Sequence, residues 1–242
     1  MKKCATIEEG VASVLEVYRY KIDKTWKYVP ATGDDLCDRV IIDGEEYPFF
    51  WWRSDLQIGP MTAMAPERKP CSMKLNRTCP VSEGLDRLLY RELDIAEQML
   101  GSSISKVMCF TNKNALNMLA TMENERVAIF ELAAALNDET NEQGRHTYWG
   151  QEGMASDKVV SQKVPSEALY LFTDDQPQAQ TYNDIFIYMY GLSRVDATKA
   201  AAIVEILLGR MDVSTWKEKD AHFRRCIAAA KESAQNVRRV AI

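Results

Sequence analysis

Residues 84–101, GLDRLLYRELDIAEQMLG, decide how this chain is read. Leu85, Leu88, Leu89, Leu93, Ala96 and Leu100 recur at spacings of three and four, the period of one face of an α-helix. Ser82 and Gly84 offer an entry. Gly101 suits the position just past a helix end, because glycine adopts positive φ without a steric penalty. Asp86, Arg87, Arg91, Glu92 and Glu97 form a charged opposite face. The stretch is therefore predicted to be an amphipathic surface helix packed on a sheet.

Working outward, residues 7–10 read as a short turn. Residues 14–22, VLEVYRYKI, alternate and are rich in β-branched and aromatic side chains, which predicts a strand. Residues 39–42 are a short strand, Asp43 and Gly44 a hairpin signal, and 47–53, YPFFWWR, a second strand or an aromatic-lined approach to a loop. Residues 59–83 carry four prolines without periodicity and predict a long loop insertion. Downstream of the helix, 104–110 is a buried strand, and 115–122 with 126–136 is a long hairpin around 123–125. Residues 137–144 are a polar turn, and 145–150 is a strand running into a glycine-punctuated turn ending at Gly153. Residues 158–163 and 168–172 read as strands, 174–183 as a polar loop, and 185–190 as strand or helix. Helices are expected at 196–208, closed by Gly209, and at 220–233, with a final strand in 237–242. There is no alternation of strand and helix. The fold class is therefore α+β: one domain over 1–242, a large, mostly antiparallel open β-sheet with helices packed on one face.

A formal charge of −5 over 242 residues argues against nucleic acid and anionic membranes as partners. No apolar run reaches the roughly 18 residues of a membrane span, and Met1-Lys2-Lys3-Cys4 is not followed by a signal-peptide core. Six scattered cysteines without a CxxC pair, and only two histidines, make a metal centre an unsupported expectation. The simplest placement is cytoplasmic with reduced thiols. Cys71 and Cys79 share the proline-rich segment, where a clip would need suitable geometry.

The helix also resembles the catalytic helix of the Gfo/Idh/MocA oxidoreductases (glucose–fructose oxidoreductase, inositol dehydrogenase), D-x-G-x-H-x-x-D-hydrophobic closing on Leu-Gly. Asp94-Ile95 and Met99-Leu100-Gly101 match the closing half. The family's His then falls on Arg91 and its first Asp on Arg87, with Asp86 one place off. Other segments resemble the family in order. They are IEEG with VASVLEVYRYKI, Trp52-Arg53-Ser54-Asp55 before Gly59, and 122–128 with Glu125 at the usual glycine. They continue with 148–153 and the closing helix ending in Glu232-Ser233-Ala234. The resemblance covers only the family's C-terminal, substrate-binding and oligomerisation half.

That resemblance implies several things. An arginine, with a pKa above about 12, cannot serve as the acid–base group at position 91. The sequence contains no G-x-G-x-x-G fingerprint, and the family's E-K-P motif is absent, since Glu67-Arg68-Lys69-Pro70 lies downstream of the first strands. The expectation is a chain without catalysis of its own and without a bound cofactor, NAD(P) entering only with a separate Rossmann domain. It would bind a ligand or assemble as a homo-oligomer through the sheet face. The alternative is the substrate-binding half of a split or truncated NAD(P)-dependent sugar or polyol oxidoreductase, with a Rossmann-domain protein as partner; the start of the chain near the family's domain boundary suits that reading. Candidate ligand-binding residues are Arg53, Arg87, Arg91, Asp94 and His146. The arginines suit carboxylates or phosphates through bidentate bonding. His146 is otherwise an ordinary sheet-face residue, and His222 a structural one.

Overall fold

A computed structural model of the chain describes residues 3–54, 72–140, 142–150, 153–157, 168–173, 178–181 and 190–242, with the side chains of 168–173 and 178–181 left out. In chain order the elements are α1 (Ile7–Val17), β1 (Trp26–Val29), β2 (Arg39–Ile42), β3 (Glu45–Pro48), a 3-10 turn (Trp51–Ser54), β4 (Ser72–Pro80), α2 (Leu85–Leu100), β5 (Ile104–Asn112), β6 (Ala115–Met122) and β7 (Val127–Leu136). They continue with β8 (Gln143–Gly150), β9 (Gly153–Ser156), β10 (Ala168–Thr173), β11 (Gln178–Thr181), α3 (Arg194–Leu207), α4 (Trp216–Asn236) and β12 (Val240–Ala241). Among the described residues the class is α+β, as expected. The chain divides into two compact units, one of residues 1–59 with 182–220 and one of 60–181 with 221–242.

The first unit holds α1, the antiparallel sheet β1-β2-β3, the 3-10 turn and α3. The strand expected at 14–22 is a correction: residues 7–17 are helical. Thr6 caps the helix by accepting the Glu9 amide at 3.2 Å, and the Glu9 carboxylate reaches back to the Ala5 amide at 2.8 Å. Ile7, Gly10, Val11 and Val14 are buried at helical spacing, so one-sided burial outweighs the strand preference of the β-branched residues. The hairpin at Asp43 and Gly44 forms as expected, with φ of 51° and 83° at the two loop positions. Residues 47–53 are only partly strand, since β3 ends at Pro48 and a 3-10 turn follows.

The second unit is built on a nine-stranded sheet in the order β11-β10-β9-β8-β4-β7-β6-β5-β12. Its described pairings are antiparallel except β4 with β7. The long loop expected over 59–83 is corrected in its second part. Residues 59–71 lie outside the described residues, but 72–80 are β4, near the centre of the sheet. Met73, Leu75 and Cys79 point into the core while Lys74, Asn76 and Thr78 alternate with them. The run SMKLNRTCP hides this pattern, because Arg77 occupies a core-side position and prolines bracket the segment. The polar loop expected over 174–183 is likewise corrected at 178–181, which pair with β10 as β11. The strand expected at 158–163 lies outside the described residues, as do 185–189.

Burial alternates along the strands, so one face carries the core. Phe130 on β7 lies beside Leu75 on β4 and Met118 on β6, all nearly sealed from solvent. Helix α2 packs on this face against β4, β6 and β7, and α4 packs on α2 through the edge-to-face pair Tyr90–Phe223, 5.7 Å between ring centres.

Candidate functional site

Helix α2 runs as predicted and stops at Gly101, whose φ of 64° is left-handed and whose amide donates to the Glu97 carbonyl at 2.9 Å. Its charged face is where expectation and structure part. Asp86 and Arg87 near the start stay partly exposed, but Arg91, Glu92, Asp94 and Glu97 are buried. The reason is a second covering layer. α4 places His222 Nε2 2.7 Å from Glu97 Oε1, and the strand β8 places His146 against Glu92. Glu97 Oε1 also accepts the Ile104 amide at 2.8 Å, so this carboxylate closes the turn from helix to strand.

The resulting site is a buried network of charge. Each guanidinium nitrogen of Arg91 meets a carboxylate: Nε donates to Glu92 Oε1 at 3.1 Å, Nη1 to Glu83 at 3.4 Å and Nη2 to Glu142 at 2.7 Å. Arg77 on β4 donates from Nε to the same Glu142 oxygen at 2.6 Å. His146 lies between two carboxylates, Nε2 at 2.7 Å from Glu92 Oε2 and Nδ1 at 2.6 Å from Asp157 Oδ2. Its own amide donates to Asp157 Oδ1 at 2.7 Å. A ring with an acceptor at each nitrogen satisfies both only as the doubly protonated imidazolium.

The electrostatics follow from this geometry. Burial pushes His146 down, but Glu92 and Asp157 outweigh it and hold the imidazole up at about 9. Burial would raise Glu92, yet His146 and Arg91 keep its carboxyl down at about 2. Burial would likewise raise Asp157 and Glu142, yet His146 and Arg77 hold down the first, and Arg91 and Arg77 the second, so both stay below the usual carboxylate range. Glu83, at the edge of the network, is raised by burial. Arg91 is pushed further up by its carboxylates in spite of burial, so it holds its proton at any working pH.

Gly144 makes the close approach behind this network possible. It pairs with Arg77 across β4 and β8 at φ 129°, and a Cβ there would lie 2.0 Å from the Asn76 carbonyl oxygen. No L-residue other than glycine fits that contact.

Of the candidates from the sequence, Arg91 and His146 are brought together through Glu92. Asp94 is fully buried on the same helix, and Arg87 is half-buried one turn before Arg91. Arg53 belongs to the other unit, where its guanidinium lies 4.9 Å from the Phe50 ring centre and 5.7 Å from that of Trp216. Glu83, Glu92, Glu142, Asp157 and Arg77 were not singled out in the sequence. One signal was there: the pairs Gly150–Gly153 through Thr147–Ser156 make His146 and Asp157 the next cross-strand neighbours. Cys79 is a buried thiol on β4, pushed up to about 12 by burial, while Cys71 lies outside the described residues. Among the described residues no group of His, Cys, Asp or Glu is arranged to hold a metal ion, and no helix is long and apolar enough to cross a membrane.

No protein-family model and no curated protein matches the sequence, so its likenesses are structural. The chain is similar to an oxidoreductase from Agrobacterium radiobacter solved with NAD+, L-tartaric acid and magnesium, with TM-score 0.64 and 14% identity over 81% of this chain and 64% of that one. It is similar to aldose-aldose oxidoreductase from Caulobacter crescentus in complex with glycerol, with TM-score 0.57 and 11% identity over 80% and 62%. A third likeness is levoglucosan dehydrogenase in complex with NADH and L-sorbose, with TM-score 0.57 and 14% identity over 80% and 64%. The chain thus spans less than two thirds of the length of these structures. Over that span it carries the fold of the Gfo/Idh/MocA-type oxidoreductases, as the resemblance read from residues 84–101 implied.

Proposed function

We propose that this chain is a non-catalytic relative of the oxidoreductase C-terminal domain, working by ligand binding or by assembly with further copies of itself. The carrying observation is Arg91. It stands where the resemblance puts the acid–base histidine, is buried, and engages Glu83, Glu92 and Glu142. A guanidinium held this way neither accepts a proton nor reaches a substrate hydroxyl. His146 does not replace it, because both its nitrogens are committed to carboxylates. Arg87 on α2 and Arg53 in the other unit, both partly exposed, are the ligand-contact candidates that remain, whereas Asp94 is sealed from solvent. Assembly is favoured by the sheet face opposite α2, which exposes Phe110, Leu119, Ile129 and Trp149. Titration of the purified chain with NAD(H) and NADP(H), followed by calorimetry, tests the cofactor part. No heat of binding is the expected result, and tight binding would overturn the reading.

A second reading makes the chain the substrate side of an NAD(P)-dependent sugar or polyol oxidoreductase whose Rossmann domain lies elsewhere. The length of the neighbours beyond the matched 64% supports it. Dehydrogenase activity on polyols, appearing only when a Rossmann-domain protein from the same genome is added, would favour it over the first.

A further inference from the structure

We infer that the proton on Nε2 of His146 operates a latch between helix α2 and the β8–β9 hairpin, closed while that proton is bound and released when it leaves to solvent base. The geometry carries this. Nε2 is the group through which the ring touches the helix, at Glu92, while Nδ1 and the backbone amide hold Asp157 at the end of the hairpin itself. The two carboxylates are not equally supported. Glu92 keeps Arg91 Nε at 3.1 Å as a second donor, whereas Asp157 receives, besides the ring, the His146 amide. When the ring gives up one proton, the remaining one therefore stays on Nδ1. The Nε2 lone pair then faces the Glu92 carboxylate at 2.7 Å, which is repulsive.

The surroundings sharpen the response. Glu92 from α2 and Asp157 after β9 face the ring, and the network behind them adds Arg91 from α2, Arg77 from β4, and Glu83 and Glu142 from the flanking segments. Four carboxylates stand against two arginines and the imidazolium, so losing the ring proton leaves a buried excess of two negative charges instead of one. The rest of α2 is fastened to β4, β6 and β7 by apolar contacts that do not titrate. Release should thus be local to β8 and β9. The sign is fixed by a folded pKa raised from 6.5 to about 9: the latch is fully closed below about 6.5 and opens as pH rises through about 9.

Nitrogen-15 NMR of the His146 ring in the intact chain between pH 6 and 10.5, with amide hydrogen exchange corrected for intrinsic base catalysis, tests this. Both ring nitrogens should be protonated at pH 7. Nε2 should then lose its proton first, and amides of β8 and β9 should lose protection in the same range while β6 and β7 keep theirs. Glu92→Gln, which removes the charge at Nε2, should move the ring transition down by at least one pH unit. A ring that is neutral at pH 7, Nδ1 losing its proton first, or protection of β8 and β9 that does not follow the titration would each overturn the latch. The wild-type titration alone decides the matter should the Glu92 variant not fold.

Discussion

On the helix side of the nine-stranded sheet, Glu92, His146 and Asp157 are all but sealed from solvent, whereas on the opposite side Phe110, Leu119, Ile129 and Trp149 stay exposed. At these seven positions polarity is inverted relative to the apolar core around them, where Leu75, Met118 and Phe130 follow the common pattern. The two faces tolerate this for different reasons. A buried charge survives only when its pairing is complete, and here each nitrogen of Arg91 and of His146 has a carboxylate oxygen. An exposed apolar side chain carries little penalty singly, but Leu119 and Ile129 are cross-strand partners beside Lys74, which pairs with Glu131 at 2.7 Å. A patch of apolar side chains with ion pairs among them has the composition of a protein–protein contact. The helix face is held in shape by the completeness of its charge pairing, whereas the open face carries the apolar side chains that the proposed assembly would cover.

The most severe way to break the contrast is to remove one charge from the closed side. Arg91→Met leaves Glu83, Glu92 and Glu142 facing one another, and breaking a buried pair from one side costs about 3–5 kcal/mol. Urea unfolding should show a loss of that size, and a loss below about 1 kcal/mol would mean that the network is solvated. Gly144→Ala tests the same side through the backbone. The strained φ alone costs about 1–3 kcal/mol, and the new Cβ would meet the Asn76 carbonyl at 2.0 Å. A variant with wild-type stability by the same measurement would show that β4 and β8 are not so closely apposed.

The smaller effects belong to exposed positions. Glu125 sits in the turn between β6 and β7 at φ 66°, where glycine carries no steric penalty. Glu125→Gly should raise stability by about 0.5 kcal/mol, the relief of left-handed strain being partly offset by added freedom of the unfolded chain. A fall in thermal midpoint would show that the Glu125 side chain matters there. The double variant Leu119→Lys with Ile129→Lys should change monomer stability least, by under about 0.5 kcal/mol per site. Its expected effect is on sedimentation: an assembled wild type and a monomeric variant. Identical sedimentation of the two would remove this face as the contact.

How much of this was legible depended on the range of the interaction concerned. Helix α2, its glycine stop, the β6–β7 hairpin and the α4 helix are local patterns of period and turn chemistry, and they read correctly. Helix α1 departs from the local pattern because VLEVYRYKI satisfies strand preference while its burial follows the helical period set further upstream, from Ile7. β4 is illegible locally because its core face carries Arg77, whose main partner, Glu142, lies 65 residues away. Within the site, His146 and Asp157 could have been paired from the hairpin register, but nothing near Glu92 in the chain announces a histidine 54 residues on.

The α+β class, the amphipathic helix at 84–101 with Asp94 and Gly101, and an arginine at the position that the resemblance aligns with the family's histidine are all legible in the residues alone. Those rest on side-chain chemistry and on spacings within a few turns or strands. Long-range packing alone buries the helix's charged face, surrounds Arg91 with three carboxylates and sets His146 between helix and hairpin. A charge's environment is set by whatever packs over it. For α2 that cover comes from α4 and from β8, elements whose arrival no local period records.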